Sequence, residues 1–232
     1  MRRIATKNFK PQRKGGKGVK NTDEITKTVI RTNTIDNLMV FSDKGIMYKI
    51  LVDDVPEGAK GTSVRALTPM SANEKPATIY SIYHETDAKF VLFVTKNGIV
   101  KKTGLAEFSE MKKKSGVAAI KLREDDELVA VSLIKNEDII LLTHNGYAIR
   151  FNSEEIAPSS RNTIGVKGIT LGKDDYVVSA LPVRNSDDDC AIFSSTGLAK
   201  RIKLDDLPKQ GRGGKGLNCL KVTGATGFAQ DM

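Results

Sequence analysis

Four segments of the chain repeat one pattern: a β-rich run, a small polar turn ending in glycine, and a second β-rich run. They are LMVFSDKGIMYKI (38–50), FVLFVTKNGIVKK (90–102), DIILLTHNGYAIR (138–150) and CAIFSSTGLAKRI (190–202), with turn glycines Gly45, Gly98, Gly146 and Gly197. Asp-Lys-Gly, Lys-Asn-Gly and His-Asn-Gly between apolar runs signal hairpins, because a tight turn needs residues that tolerate positive φ. The glycines are 53, 48 and 51 residues apart, and a second landmark keeps their register: Val64, Val117, Val166 and Leu217 follow them by 19, 19, 20 and 20 residues. Each opens a short alternating stretch expected to be a strand (VRAL, VAAI, VKGI, LNCL). Each follows a polar, often cationic loop: AKGTS, KKKSG, SSRNTIG, GRGGKG.

The N-terminus reads as the second half of a fifth copy. RRIATKNF matches a return strand, QRKGGKG the loop and Val19 the strand start, so residues 1–35 form a partial blade whose first strand is missing from this chain. Asp125-Asp126-Glu127-Leu128-Val129 and Asp174-Asp175-Tyr176-Val177-Val178 mark a turn into the last strand of copies two and three. Several hairpins per repeat, with no convincing amphipathic helix, suit four-stranded blades around an axis, each covering its neighbours' faces. The expectation is an all-β, propeller-like single domain over 1–232 with about five four-stranded blades. Two sandwiches are the alternative, disfavoured by the even register.

Charge is unevenly distributed. Residues 1–20 hold eight cations and no acid, while the rest hold 29 Lys+Arg against 28 acids; a second excess lies at 195–221, with seven cations against Asp205 and Asp206. Clustered charge on a balanced background is the footprint of a polyanion surface. The densest clusters are Gln12-Arg13-Lys14-Gly15-Gly16-Lys17-Gly18 and its echo Gln210-Gly211-Arg212-Gly213-Gly214-Lys215-Gly216. Cations in a glycine-rich turn contact phosphates through side chains and backbone N–H groups, which positions a duplex without reading its sequence. The candidate set is Gln12, Arg13, Lys14, Gly15, Gly16, Lys17 and Gly18, the loop cations Lys112, Lys113, Lys114, Arg161, Lys209, Arg212 and Lys215, and the return-strand cations Arg2, Arg3, Lys49, Lys101, Lys102, Arg150, Lys200 and Arg201. Strand alternation is expected to turn half of the last group to solvent.

Other chemistry finds little support. The 211–216 loop formally fits GxGxxG, but a strand rather than a helix should follow it. No GxSxG, HExxH or CxxC pair occurs, so neither catalysis nor a metal is expected. Cys190 and Cys219 read as reduced core thiols, His84 and His144 as solvated, and Phe41, Phe90, Phe93 and Phe193 as core; without Trp, stacking on single strands is not expected. No run approaches the roughly 18 apolar residues of a membrane span and the N-terminus has no apolar signal core, so a soluble protein is expected.

The loop at 12–18 resembles the box motif of the DNA gyrase A C-terminal domain, and the hairpins, [GS]-V/L strand starts and DD-x-[LV]-V turns resemble that family's repeats. The resemblance covers essentially the whole chain and implies a β-pinwheel that wraps duplex DNA around its edge and assists supercoiling. It also implies partners in the remainder of gyrase A and in gyrase B, a bacterial cytoplasmic, nucleoid-associated location, and no cofactor in this domain, with ATP and magnesium used elsewhere in the parent enzyme. The domain should be non-catalytic, lacking the catalytic-tyrosine domain. Two departures stand out: the family usually has six blades, and the second loop, with Gly211 at its second position, is degenerate in the manner of topoisomerase IV. A topoisomerase IV-type domain serving relaxation and decatenation is therefore one alternative, and a protein-binding propeller is another.

Overall fold

A computed structural model describes residues 1–8, 11–16, 28–58, 60–82, 87–111, 115–185 and 187–232. The strands are β1 (Asn37–Ser42), β2 (Ile46–Leu51), β3 (Pro76–Ile82), β4 (Phe90–Thr95), β5 (Ile99–Gly104), β6 (Val117–Ala118), β7 (Leu128–Ile134), β8 (Asp138–Thr143), β9 (Tyr147–Asn152), β10 (Val166–Lys167), β11 (Val177–Pro182), β12 (Asp189–Ser194), β13 (Ala199–Lys203), β14 (Leu217–Asn218) and β15 (Ala229–Asp231). They form three four-stranded sheets, ordered β3-β1-β2-β6, β10-β5-β4-β7 and β11-β8-β9-β14, and a three-stranded one, β13-β12-β15. Each repeat centres on its expected hairpin, with Gly45, Gly98, Gly146 and Gly197 at φ between 74° and 83°.

Each short strand leaves its own repeat. Val117–Ala118 pairs with β2 of the first repeat, Val166–Lys167 with β5 of the second, and Leu217–Asn218 with β9 of the third. Neighbouring sheets are thus stitched together covalently. A second set of links runs past the hairpin turns: the N–H groups of Leu128, Val177 and Ala229 donate to the carbonyls of Asp43, Lys96 and His144 in the preceding repeat.

This stacking buries both faces of the middle sheets, which explains why their strands read as continuous apolar runs rather than clean alternations. Met39 and Phe41 of the first sheet pack against Val91 and Phe93 of the second. Leu92 and Val94 face Ile139 and Leu141 of the third, whose Ile140 and Leu142 pack against Ile192 of the fourth. Phe41 meets Phe93 and Phe108 edge-on, and Phe93 is tilted against Phe108, with centroids 5.6–6.0 Å apart.

The first and fourth repeats differ from the middle ones. Val64 opens a short helix, α1 (Val64–Leu67), instead of the expected strand, with Ser63 Oγ accepting from the Arg65 N–H. Val64 and Leu67 cover the outer face of the first sheet together with Met1. Pro76 occupies the position of Leu128, Val177 and Ala229 and has no N–H to offer a preceding blade. In the fourth repeat β13 has no second neighbour among the described residues. Phe193, expected in the core, is consequently 49% exposed.

Two further expectations change. A second short helix, α2 (Ala106–Ser109), follows β5. His144 is not solvated but stacked between Tyr176 and Phe228, at 4.5 and 4.2 Å. Cys190 and Cys219 are free thiols, both pushed up by burial.

Candidate nucleic-acid interface

The two box loops fold alike. Gly16 N–H donates to Arg13 C=O at 3.0 Å, and Gly214 N–H to Gly211 C=O at 3.3 Å. Each closes a β-turn whose third residue, Gly15 or Gly213, has φ of 80° or 86°, where an L side chain is strained. The following glycine lies close under the opening glutamine: a Cβ on Gly16 would lie 2.8 Å from Gln12 Oε1, and one on Gly214 3.2 Å from Gln210 Oε1, so a larger residue would push the glutamine side chain aside. The opening glutamine therefore folds over the turn, which explains the Gln-x-x-Gly-Gly order shared by both loops.

The closing glycine has a different task. Gly216, at φ 74°, brings the chain onto β9 so closely that a Cβ would stand 2.5 Å from the Ala148 carbonyl. Gly165 meets the Val100 carbonyl at the same 2.5 Å. These glycines dock β14 and β10 on the neighbouring repeat. Gly216→Ala is expected to cost about 2 kcal/mol and to raise amide exchange in β14, measured by denaturant unfolding and hydrogen exchange.

The loops present exposed cations. Arg13 and Lys14 are exposed in the first, with Gln12, Gly15 and Gly16; Lys17, Gly18 and Lys112–Lys114 lie outside the described residues. In the second, Lys209 and Lys215 are exposed, Lys209 also pairing with Asp138 at 3.0 Å. Lys200 and Arg201 are exposed on β13, where Lys200 Nζ donates to the Cys219 carbonyl at 2.8 Å and Arg201 pairs with Asp189 at 3.1 Å. Sequence reasoning missed Lys121 and Lys221, exposed at matching loop positions, as well as Lys167 and Lys203. Repeat register was the signal that could have found the first two.

Other candidates serve as struts between repeats. Lys101 is fully buried, its ammonium donating to the carbonyls of Ala119 and Arg161 and lying 5.2 Å from the Phe93 ring centroid. Lys102 is 4% exposed and donates to the Ser153 carbonyl at 2.8 Å. Lys49 caps the carbonyls of Ser109 and Met111, and Arg150 that of Leu204. β5 and β9 have a neighbouring sheet on either face, and the outer face of the sheet holding β2 is covered by α1 and Met1, so alternation did not turn these cations to solvent. Arg2 and Arg3 are half-buried, with Arg3 bound to Asp53. Arg161 and Arg212 are also held back: Arg161 pairs with Glu107, and the Arg212 guanidinium donates to the carbonyls of Glu155 and Lys167.

Asp138 anchors one strut, accepting from Arg150 Nε at 3.0 Å. Burial works to raise its carboxyl, but Lys209 and Arg150 outweigh that and hold it below the usual carboxylate range. A folded-state value below the unfolded one contributes stability that is present above about pH 4 and lost as pH falls. The stability gap between wild type and Asp138→Asn should therefore close on acidification, as read by denaturant unfolding across pH.

The repeats and loops have counterparts in known proteins. A family model described as the DNA gyrase C-terminal domain, beta-propeller, matches residues 1–26, 36–75, 89–135, 137–184 and 188–224. This chain belongs to that family. The gyrase A protein of Lawsonia intracellularis is 39% identical over 230 residues, covering 95% of this chain and 28% of the relative. The gyrase A protein of Clostridium acetobutylicum is 39% identical over 235 residues, covering 98% and 28%. The chain thus spans little more than a quarter of these relatives' length, and the family model it matches is that of the C-terminal domain. The solved C-terminal domain of DNA topoisomerase IV superposes with a TM-score of 0.78 at 29% identity, covering 86% of this chain and 63% of that one. A solved DNA gyrase A C-terminal domain gives 0.75 at 26%, covering 98% and 76%. The all-β pinwheel is shared with both.

Proposed function

We propose that this gyrase C-terminal domain binds duplex DNA without sequence preference and bends it around its basic rim. Within gyrase A, paired with gyrase B in the bacterial cytoplasm, that bending would assist supercoiling. The observation that carries the reading is the pair of like-folded loops, Gln12–Gly16 and Gln210–Gly214, with exposed cations on or beside them. A hydrogen-bonded turn presents Lys14 beside Arg13, and Lys215 follows directly on its counterpart in the second loop. Bending a 20–30 bp site by 40–90° costs about 1–6 kcal/mol, which additional phosphate contacts along a curved surface offset. Lys121, Lys167, Lys203 and Lys221 extend the exposed charge over several repeats.

The test is duplex binding across a salt series, with bending followed by end-to-end energy transfer. Counterion release predicts a log–log slope of about −0.9 per neutralised phosphate, for any sequence. Replacing Arg13, Lys14 and Lys17 with alanine should abolish bending more than binding, because cations on other repeats still hold the duplex. Unchanged bending in the triple variant would overturn the mechanism. The topoisomerase IV likeness supports a second reading, in which the domain presents DNA for relaxation or decatenation; it shares the binding prediction and differs in the topological outcome.

A further inference from the structure

Nine residues after each hairpin glycine stands an acid: Asp54 after Gly45, Glu107 after Gly98, Glu155 after Gly146 and Asp206 after Gly197. Negative charge at a fixed place beside basic loops would ordinarily weaken binding to a polyanion. Its presence in all four repeats calls for a structural reason, and two of the repeats display one.

The Glu107 carboxylate accepts from the Arg161 backbone N–H at 3.2 Å, and that of Glu155 accepts from the Arg212 backbone N–H at 2.8 Å. Arg161 and Arg212 are the third residues of equivalent loops, 159–165 and 210–216. In both cases acid and loop come from consecutive repeats. The equivalence is independent of these contacts. Both loops begin with an N–H donated to a return-strand carbonyl, Ser159 to Lys102 and Gln210 to Arg150. Both end with a positive-φ glycine pressed onto the same strand. The acid supplies an attachment at the third residue of a loop fixed at its two ends, ahead of the later backbone bonds at Gly213 and Gly214 in one loop and Thr163 in the other. The side chains add to it: Arg161 Nε lies 3.7 Å from the Glu107 carboxylate, and Arg212 Nε donates to the Glu155 carbonyl at 3.2 Å.

We propose that this acid is a positioning residue for the DNA-bending loops. Glu107 and Glu155 hold the loop of the next repeat by its third backbone N–H, and in the 210–216 loop this orients the turn so that Lys215 faces outward. A charge-assisted N–H···carboxylate bond is stronger than a neutral one and directional, whereas an exposed arginine–carboxylate pair alone contributes little. The attachment thus rests on the backbone bond. The proposal depends on the DNA-bending reading for its functional consequence but not for its structural one.

The experiment compares Glu155→Ala with Glu155→Gln, and Glu107→Ala with Glu107→Gln, in the intact domain. Amide exchange in the loops is measured alongside duplex bending. The glutamine amide oxygen can still accept the bond, yet both substitutions remove the same charge. Loss of the bond should speed exchange of the Arg212 amide about 10- to 100-fold in Glu155→Ala, with most of the protection kept in Glu155→Gln. The Arg161 amide should respond in the same way to the Glu107 pair. Bending should fall in Glu155→Ala, whose loop carries Lys215, and persist in Glu155→Gln. If the acids merely repel DNA, alanine and glutamine would tighten binding equally and leave exchange unchanged, and the proposal is overturned. If exchange responds as expected but the wild-type domain binds no duplex, the positioning role stands and the DNA reading fails.

Discussion

Replacing Phe93 with alanine should destabilise the domain by about 3–5 kcal/mol, the largest effect expected of a single substitution in this fold. Phe93 lies on β4 with no exposed surface, between the first and second sheets. Its ring meets Phe41 edge-on at 5.6 Å and is tilted against Phe108 at 5.8 Å, so truncation removes two aromatic contacts and leaves a cavity. The cavity is hard to fill. Phe41 is fixed by its strand pairing with β2 and β3, and Phe108 by the short helix α2. Phe93 also lies beneath the Lys101 ammonium, so the interface would lose part of its support for a buried cation. Urea unfolding should show a lower midpoint with little change in slope if the fold survives. A loss below about 1 kcal/mol would mean that the seam collapses readily and that its packing is not specific.

Lys101 gives the second large effect, with a pH signature. Lys101→Ala removes a fully buried side chain and leaves the carbonyls of Ala119 and Arg161 without its ammonium, at a cost of about 3 kcal/mol near neutral pH. Burial is the main cause pushing the Lys101 amine down, to about 8, with the Arg161 charge acting in the same sense and Glu107 opposing it. The folded-state value lies below the unfolded one, so between about pH 8 and 10.5 the unfolded chain holds the proton that the folded chain has released. Stability contributed by Lys101 therefore rises with pH across that window. Wild type should gain on Lys101→Ala by about 1–3 kcal/mol between pH 7.5 and 10.5, measured as the difference between paired unfolding curves. A constant gap would mean that water reaches the ammonium in solution.

The repeat made the hairpins and their order legible in the sequence, because each turn needs a glycine and each strand a run of apolar residues. Register also located the loops, since Val117, Val166 and Leu217 open the expected short strands. It did not say which sheet those strands join. A two-residue strand has no pattern that names its partner, and each pairs with the preceding repeat. The same exchange explains the misread cations. For a strand open to water on one face, Lys101 and Lys102 should point opposite ways, one inward and one outward. Here both faces are covered, and each ammonium finds a carbonyl from a loop far away in sequence. Phe193 shows the converse error: its strand pattern matches Phe41 and Phe93, but no further blade among the described residues covers it. VRAL became helical where VAAI, VKGI and LNCL did not, with the Ser63 side chain capping its start.

The candidate interface was legible where backbone chemistry dictated it. The glycines of Gln12–Gly16 and Gln210–Gly214 announce turns, and the adjoining cations announce an anionic ligand. Arg161 and Arg212 were indistinguishable in sequence from loop cations that face solvent. Only their bonds to Glu107, Glu155 and Lys167 separate them. The use of Glu107 and Glu155 carried no signal in the sequence, because their bonds to the Arg161 and Arg212 backbone need a neighbouring repeat to be seen.

Whether the rim bends DNA is tested most directly by topology. The domain is bound to relaxed, nicked circular DNA, the nick is sealed by ligase, the protein is removed, and linking-number distributions are resolved on a gel. Wrapping along the basic rim predicts a shift that grows with protein concentration, disappears at high salt and is lost when Arg13, Lys14 and Lys17 are replaced with alanine. A distribution unmoved at saturating, low-salt binding would contradict wrapping, leaving a domain that holds DNA without shaping it.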